Sequence, residues 1–480
     1  MSDIAIYWFR DDLRLNDLTG LSAAAERGPV VALYIWDEKV SEEWRIGSAS
    51  RWWLHKSLAA LEAALTEQGI PLTLRSGNTA TVLEEVCRSV NAKAVYCSRQ
   101  YQPWAGQLEQ SLRDSLSQHD VELKRYPGTL LHEPEAVATG AGTPFKVFTP
   151  FWRACLRRPD PQMPLATPTL SPCPTPVQSE TLKSWNLLPT QPNWAHGWED
   201  LWCPGEDGAH AALEQFLAHH VIDYGDGRDI PSARSTSRLS PYLRFGNLSP
   251  RQVWHAAQAS KVFEPEASSA TDKFLSEIGW REFCYHLVFH FPTMPDEAFN
   301  PKFSYFPWGT DQQRLTAWQR GQTGYPIVDA GMRELWATGF MHNRVRMVVA
   351  SFLTKHLLLH WREGESWFWE CLLDADLASN ACGWQWVGGS GADASPYFRI
   401  FNPIAQGEKF DKSGAYTRQW VPELQSLPDK FLHKPWEAPI EVLVQAGVSL
   451  GENYPSPIVD HKTAREAALG AYATLKTLSV

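Results

Sequence analysis

The first 130 residues alternate short apolar runs with helical patterns, and this alternation restricts the fold more than any other feature of the sequence. Apolar runs of strand length begin near Ile4, Val30, Leu72, Ala94 and Val121. Between them, residues 51–68 and 108–118 carry apolar side chains at spacings of three and four, which is typical of helices. This order predicts an α/β domain with a largely parallel, Rossmann-like sheet. No G-x-G-x-x-G sequence follows the first run, so a conventional dinucleotide fingerprint is absent there.

A proline-rich segment follows, and beyond it the pattern becomes helical. Nine prolines fall within residues 159–192, a composition that opposes a regular helix and favours an extended surface connector. Spacings of three and four then recur over 206–220, 249–260, 270–291, 311–321, 327–338, 343–360 and 365–373. We therefore predict an α/β domain at 1–130, a connector at 131–205 and an all-α domain at 206–480.

Composition and charge exclude several classes of protein. Of 480 residues, 44% are hydrophobic and 20% charged, which is typical of a folded globular chain. The formal net charge of −10 argues against a general binder of polyanions. No apolar run approaches the ~18 residues of a membrane span. The eight cysteines are scattered without zinc spacing. We expect a cytoplasmic protein with reduced thiols, no bound metal and no membrane association.

Two segments concentrate positive charge against this acidic background. Residues 335–362 contain four Lys or Arg, three His and no acid, and residues 228–251 contain five Arg and one acid. Such clusters suit the phosphates of a cofactor or of DNA. The alternative, that these arginines pair with acids elsewhere in the fold, stays open. The 23 tryptophans are also numerous, either as packing bulk or as rings that stack on ligands or carry electrons.

Three short sets of polar and aromatic residues could form a ligand site. On a helix, Glu277, Trp280 and Arg281 share one face, and that face could grip a flat, hydrogen-bonding ligand such as a pair of pyrimidines. A second helical set and a third, acidic set are Asn343, Arg346 and Met347, and Asp374, Asp376 and Asn380. Amphipathic helices often produce such sets, so these residues predict a polar pocket with aromatic walls and do not name a reaction.

Seven longer motifs follow one another along residues 8–403. They are WFRDDLR (8–14), TSRLSPYL (236–243), EIGWREF (277–283), TGYPIVDA (323–330), MHNRVRM (341–347), GWQW (383–386) and YFRIFNP (397–403). In this order they resemble the photolyase/cryptochrome family, and most closely its class I cyclobutane pyrimidine dimer photolyases. The resemblance implies an α/β N-terminal domain and an all-α C-terminal domain that binds FAD.

The same resemblance assigns residues to the cofactor. It implies that Arg346 pairs with Asp374 beside the flavin, that Asn380 faces flavin N5, and that Tyr224 and residues 236–240 hold the diphosphate. The full set is Tyr224, Thr236, Ser237, Arg238, Leu239, Ser240, Phe274, Arg346, Asp374, Ala375, Asp376 and Asn380. A second, antenna chromophore of folate or deazaflavin type stays open, because neither family pattern is intact near Trp104.

The resemblance also implies a substrate and an electron path. The lesion pocket matches Glu277, Trp280, Arg281, Asn343 and Met347, and the DNA-backbone positions match Arg228, Arg344 and Gln406. The indole chain that photoreduces the flavin matches Trp308, Trp361 and Trp384. The implied activity is that of a carbon–carbon lyase: light-driven electron transfer from reduced FAD to a cyclobutane dimer that is flipped out of UV-damaged DNA. We expect a monomer with no obligate protein partner.

Relatives with other activities leave alternatives open. Enzymes of the family that repair (6-4) photoproducts carry His where Asn343 and Met347 stand, and neither of these can donate the proton that such repair needs. DASH-type cryptochromes, which act on single-stranded DNA, typically have Ser where His342 stands. A signalling cryptochrome that senses blue light usually adds a C-terminal tail. Departures from the family pattern at Phe274, Phe340 and Ala381–Cys382 concern lesion affinity and flavin tuning rather than the fold.

Overall fold

The computed structural model describes residues 3–39, 44–393 and 398–476. The chain forms two compact units, the first from residues 1–222 and 237–292, the second from residues 223–236 and 293–480. The helices between 206 and 222 and between 237 and 292 therefore belong with the sheet. The division at residues 130 and 205 expected from the sequence stays a prediction. Tyr397, the first residue of the YFRIFNP motif, lies outside the described residues.

The first unit contains the predicted parallel sheet. Its five strands lie in the order β3-β2-β1-β4-β5, and all neighbours pair in parallel. They are β1 (Ala5–Phe9), β2 (Val30–Trp36), β3 (Leu72–Ser76), β4 (Ala94–Ser98) and β5 (Glu122–Tyr126). The crossover helices are α1 (Thr19–Arg27), α2 (Ser48–Glu67), α3 (Thr79–Val90) and α4 (Ala105–Ser117). The α/β fold class is confirmed, although α1 and α3 were not among the predicted helices.

The proline-rich segment is extended, as its composition predicts, but it is not a loose surface connector. The backbone N–H of Val30 donates to the carbonyl of Ser171, and that of Glu180 donates to the carbonyl of Leu74. Val30 and Pro172 also form an isolated parallel bridge. Proline lacks a backbone donor, so the segment can border a sheet without extending it. The chain after β5 is thus fastened to β2 and β3 within the first unit.

The remaining helices of the first unit follow this segment. They are α5 (Phe148–Leu156), α6 (Trp198–Leu201) and α7 (Glu206–His219), then, after α8 of the second unit (Tyr224–Gly227), α9 (Ser240–Arg244), α10 (Pro250–Phe263) and α11 (Ser268–His290). A capping box starts α10, since the Ser249 hydroxyl accepts from the Gln252 N–H and the Gln252 side chain accepts from the Ser249 N–H. The 23 residues of α11 carry three of the predicted lesion residues on one continuous helix.

The described residues of the second unit form helices and no strand. After α8 these are α12 (Gln312–Gln319), α13 (Pro326–Thr338), α14 (Asn343–Ser351), α15 (Trp361–Cys371), α16 (Leu377–Gly388), α17 (Pro403–Phe410), α18 (Ala415–Trp420), α19 (Asp429–Leu432), α20 (Ile440–Ala446) and α21 (His461–Lys476). The predicted all-α character is confirmed. The single helix predicted over 343–360 is wrong, because a π-helical turn over Phe352–His356 follows α14 and Leu358 has a φ of 54°. The buried Lys355 ammonium in this turn donates to the carbonyl of Gly388.

No helix in the described ranges is both long and apolar enough to cross a membrane. The eight cysteines are free thiols. Within the same ranges, no group of three or more His, Cys, Asp or Glu side chains is arranged to hold a metal ion.

Candidate functional site

Three consecutive helices of the second unit each begin at a side chain that caps the helix. The ring Nδ1 of His342 accepts from the backbone N–H of Arg344 at the start of α14, and His360 Nδ1 accepts likewise from Arg362 at the start of α15. Asp376 Oδ1 accepts from the backbone N–H of Ser379 at the start of α16. These caps satisfy helix-terminal donors and fix where each helix begins.

Arg346, one turn into α14, forms the ion pair that the family resemblance implies. Its Nη2 lies 2.8 Å from Asp374 Oδ2, and its Nε donates to the carbonyl of Met341 at 2.7 Å. The Asp374 side chain is 3% exposed, so the pair lies largely out of water and is weakly screened. The guanidinium is therefore held as a fixed positive charge beside the start of α16.

Asn380 and Glu365 meet where α15 and α16 pack. The Asn380 Nδ2 donates to the backbone carbonyl of Glu365 at 3.0 Å. The Glu365 side chain is buried, and neither of its carboxyl oxygens has a hydrogen-bond partner among the described residues. Burial raises the pKa of Glu365 well above its usual range, which favours the neutral acid. A neutral amide and the residue with an unpaired carboxyl group are thus in contact on the two helices that flank Asp374 in the sequence.

The surface of α16 is open beside Asn380. A Cβ built on Gly383, one turn along the helix, would meet no described atom within 4 Å. Asp376, Asn380 and Gly383 share one helix face by their spacing. By contrast, a Cβ on Gly364 of α15 would collide with the Trp384 indole. The open face, the neutral amide and the fixed guanidinium fit a flat heteroaromatic group, so these residues suit the flavin end of FAD.

The residues expected at the diphosphate are divided between the two units. In the second unit, the buried Tyr224 starts α8 and its ring lies 5.3 Å from the Arg228 guanidinium; Thr236 ends that segment. In the first unit, Arg238 has a φ of 52° and its guanidinium lies 4.2 Å from the Trp202 ring. The neighbouring expected residues of the first unit are Ser237, Leu239, Ser240 and Phe274, the last of which packs its ring 4.7 Å from Phe216.

The first unit holds three of the predicted lesion residues on α11. Glu277 pairs with Lys273 at 3.5 Å. The Trp280 ring stacks on Phe148, with 3.8 Å between ring centroids and 10° between planes. Arg281 Nη1 donates to the carbonyl of Thr129 at 2.7 Å. The indole is thus already part of a stack, and the guanidinium is anchored by the backbone.

The second unit holds the other predicted lesion and DNA residues. Asn343 is the exposed first residue of α14, and Met347 Sδ lies 3.9 Å from Arg344 Nη1. Arg344 Nη2 lies 2.8 Å from Asp229, and the Arg344 guanidinium covers the Phe410 ring at 4.4 Å. Gln406 lies one turn before Phe410 on α17. The arginine therefore connects three segments of this unit.

Part of the positive charge expected between 335 and 362 is neutralised by acids from elsewhere. Arg344, Arg346 and Arg362 pair with Asp229, Asp374 and Asp296, each at 2.7 or 2.8 Å. The alternative that the sequence leaves open is therefore correct for these three arginines. Their guanidinium groups retain geometry suited to phosphate, but any phosphate competes with a carboxylate.

The predicted indole chain lies in the second unit, and a histidine ring lies within it. Trp361 and Trp384 belong to one buried core, and Trp308 packs against that core. The His360 ring centroid lies 5.2 Å from that of Trp308 and 5.5 Å from that of Trp361. The indole N–H groups of Trp308 and Trp384 have no hydrogen-bond partner in the part of the chain that the structure describes. An indole without an acceptor keeps its N–H proton, which suits reversible oxidation.

Sequence reasoning missed Glu365, Gly364 and His360. A histidine directly before Trp361 was a visible signal, but its position between two indoles depends on the helix break after α14. The isolation of the Glu365 carboxyl and the contact of Gly364 with Trp384 arise from helix packing alone.

Comparison with known proteins gives consistent matches. Residues 5–172 match a family model described as DNA photolyase, and residues 274–474 match one described as the FAD binding domain of DNA photolyase. The chain is 49% identical to a deoxyribodipyrimidine photo-lyase of Agrobacterium fabrum, with 98% of each chain covered. It is 38% identical to cryptochrome-2 of Arabidopsis thaliana, with 97% of this chain and 78% of that one covered.

A solved structure is also closely similar. A bacterial class III photolyase from Agrobacterium tumefaciens superposes with a TM-score of 0.96 at 48% identity, covering 100% of this chain and 98% of that one. This class differs from class I, which the motifs predict.

Proposed function

The chain belongs to the photolyase/cryptochrome family, and on that premise we propose that it is a deoxyribodipyrimidine photo-lyase that repairs cyclobutane pyrimidine dimers in DNA under light. Its matches include the family's FAD-binding domain and a photo-lyase of 49% identity over 98% of the chain. The observation that carries the choice of lesion is the pair Asn343 and Met347 on α14, whose side chains offer an amide and a thioether. The imidazole of His342 next to them is buried and holds the cap of this helix through Nδ1.

FAD, when bound, supplies a light-absorbing electron donor. Arg346, fixed by Asp374 and by the Met341 carbonyl, keeps a positive charge that stabilises negative charge on a neighbouring ring. Asn380 offers a neutral amide at all relevant pH, so it holds a hydrogen-bonding position without delivering a charged proton. The open face at Gly383 leaves room for a ring against α16.

The lesion side of the proposal depends on stacking and on the absence of a proton donor. The Trp280 indole, supported by Phe148, provides a flat wall for a flipped-out pyrimidine dimer, and stacking contributes about 1–3 kcal/mol per base. Splitting a cyclobutane ring after electron transfer needs no acid at Asn343 or Met347. Repair of (6-4) photoproducts does need one, so the same positions argue against that substrate.

The test is light-dependent repair by chemically reduced holoprotein. Oligonucleotides with one cyclobutane dimer are expected to be restored under near-UV or blue light and not in the dark, whereas matched (6-4) oligonucleotides are expected to stay unrepaired. A holoprotein that binds FAD and restores neither lesion would reject the proposal. A long-lived light state with no tight binding of damaged DNA would instead support a signalling cryptochrome, the candidate favoured by the similarity to cryptochrome-2.

Several features of this proposal stay predictions. They are the monomeric state, the cytoplasmic location, the antenna chromophore and the class within the family. The similarity to the class III structure favours that class over class I.

A further inference from the structure

His360 occupies an unusual position, because its ring lies between two members of the indole chain. Ring centroids are 5.2 Å apart for Trp308 and His360, and 5.5 Å apart for His360 and Trp361. The ring is tilted by 29° from Trp361 and by 67° from Trp308. A charge on this ring therefore lies close to both indoles at once.

The hydrogen bonding of His360 fixes its neutral form. Its Nδ1 accepts from the backbone N–H of Arg362 at 3.2 Å, so the ring proton must be on Nε2. Protonation would convert Nδ1 into a donor that faces another donor, and the cap of α15 would be lost. Burial and the nearby Arg362 charge both lower the pKa of His360, so the ring is neutral at pH 7.

Several charged or titratable groups lie on the helix of this ring and on the turn before it. On α15 they are Arg362, which pairs with Asp296 at 2.7 Å, the exposed Glu363 and the buried Glu365. On the preceding π-helical turn they are Lys355, whose pKa is lowered well below its usual range by burial, and His356, which contacts His461 and whose pKa burial lowers to about 3. Arg362 is the one whose charge bears on the titration of His360, and its pairing with Asp296 weakens that effect.

We propose that His360 is a proton-controlled gate in the tryptophan chain, open when the ring is neutral and closed when it carries a proton. This rests on the proposed photoreduction through Trp384, Trp361 and Trp308. In the gated step one electron passes from the Trp361 indole to the oxidised Trp384 indole, so the positive charge arrives next to His360, and no bond forms or breaks. The proton on closed His360 comes from solvent and returns to it, so His360 is a positioning residue and not an electron carrier.

The physical reason is electrostatic. Transfer from Trp361 to Trp384 places a positive charge on the indole next to His360, and a second positive charge some 5 Å away opposes it. The later transfer from Trp308 leaves the charge at a similar distance from His360. Even at the screened dielectric near a protein surface, this repulsion corresponds to a decrease of about tenfold or more in the yield of oxidised Trp308. Neutral His360 imposes no such barrier.

A matched pair of histidines separates gating from capping. His342 caps α14 through the same atom and is also buried, with a pKa lowered to about 4 chiefly by burial, but no indole stacks on it in the described residues. His360→Asn keeps a capping side chain and removes the titration. His360→Asp keeps the cap and places a negative charge between the indoles. His342→Asn removes a titrating cap that lies away from the chain.

The experiment measures the yield of oxidised Trp308 by transient absorption after a flash, in oxidised holoprotein between pH 4.5 and pH 8. Wild type is expected to lose about tenfold or more of its yield at low pH. The yield of oxidised Trp308 should not depend on pH in His360→Asn, and in His360→Asp it should be equally independent of pH and at least as high. His342→Asn should retain the pH dependence of the wild type. In parallel, the His360 ring signals are titrated by NMR in the cofactor-free protein, and the midpoint is expected to match the loss of yield.

Two results would overturn the gate: the same pH curve in wild type and His360→Asn, or an NMR midpoint unrelated to the yield. Trp384→Phe tests the indole chain itself. If this variant photoreduces the flavin with the wild-type yield, the tryptophans do not carry the electron, and the gate is rejected together with the chain. Failure of dimer repair is separate, because repair is measured with chemically reduced protein, for which His360 variants are expected to match wild type.

Discussion

Two buried polar clusters, one in each unit, differ in how fully their atoms are paired. The sheet-edge cluster lies after β1 and comprises Tyr7, Arg10, Asp12, Glu109 and Arg125. Arg10 donates to Glu109 and to the carbonyl of Ser98, Arg125 donates to the other Glu109 oxygen, and Tyr7 donates to Asp12. These groups fill the crevice between the ends of β1 and β4, where open α/β sheets commonly bind ligands.

The helix-start cluster of the second unit comprises Arg346, Glu365, Asp374 and Asn380. Neither carboxyl oxygen of Glu365 has a hydrogen-bond partner among the described residues. Buried polar atoms are nearly always paired, so a buried carboxyl group without a partner needs an explanation, such as a ligand, an ion or a water molecule. Charge alone therefore does not identify a site. The closed cluster stabilises the sheet edge, and the open one is the better candidate for a bound group.

The largest expected effect comes from breaking the closed cluster. Glu109→Ala would leave Arg10 and Arg125 without their shared carboxylate, and Arg10 is buried. We expect a loss of about 3–5 kcal/mol in the free energy of unfolding, measured by urea titration. Glu85→Ala, which breaks the exposed Arg75–Glu85 pair, should cost less than about 1 kcal/mol. Equal losses would show that the sheet-edge cluster contributes no more than a surface pair.

Two glycines of the second unit test its open and closed faces with one substitution. Gly364→Ala forces a methyl group into the Trp384 indole, so we expect a loss of about 1–3 kcal/mol and slower photoreduction. Gly383→Ala meets open space, so the cofactor-free protein should gain about 0.4–1 kcal/mol while FAD binding weakens. Calorimetry and FAD titration measure both. Unchanged FAD affinity in Gly383→Ala would contradict the assignment of that face to the cofactor.

The uncommitted carboxyl group should appear in the pH dependence of stability. The pKa of Glu365 is raised in the folded state, so its favourable contribution is present below the unfolded pKa and is lost as pH rises toward the folded pKa. Glu365→Gln should therefore be about as stable as wild type near pH 4 and more stable at pH 7. The difference should grow by about 1.4 kcal/mol per unit of pH until pH reaches the folded pKa. Glu363→Gln, at an exposed position of the same helix, should retain the wild-type slope. Parallel pH curves for Glu365→Gln and wild type would mean that this carboxyl group is solvated.

The smallest effect is expected at the Arg344–Asp229 pair, a partly exposed ion pair that belongs to neither cluster. If Arg344 contacts a DNA phosphate, Arg344→Ala should weaken binding of all duplexes alike and reduce the slope of log affinity against log salt by about 1. Asp229→Asn, which removes the competing carboxylate, should strengthen binding. Fluorescence anisotropy with undamaged and dimer-containing DNA measures both, and an unchanged salt slope in Arg344→Ala would remove this residue from the DNA interface.

The sheet could be predicted from sequence because its signals are local. Strands β1, β2 and β4 are nearly continuous apolar runs, whereas β3 and β5 mix apolar and polar residues, and each strand lies within a residue of its predicted position. The end of α14 could not be predicted in this way, since residues 343–360 keep helical spacing throughout. The turn that follows is held by a contact distant in sequence, since the Lys355 ammonium donates to the carbonyl of Gly388, 33 positions away.

In the candidate site, too, some features could be predicted from the sequence and others depend on packing. The Arg346–Asp374 pair, 28 positions apart, follows from family motifs rather than from spacing, and the structure contains it. The isolation of Glu365 and the placement of His360 depend on which atoms fail to find partners after packing, which no local pattern records. Family motifs therefore identify the residues expected to contact a cofactor more readily than the residues that position them or change their charge.

The π-helical turn over Phe352–His356 determines the neighbours of each ring in the indole chain. Had α14 continued through it, His360 and Trp361 would be successive mid-helix positions about 100° apart around one axis, and neither would start a new helix. These five residues thus determine where His360 and Trp361 lie relative to α14. A change in the length of this turn would therefore change which aromatic groups lie next to Trp361.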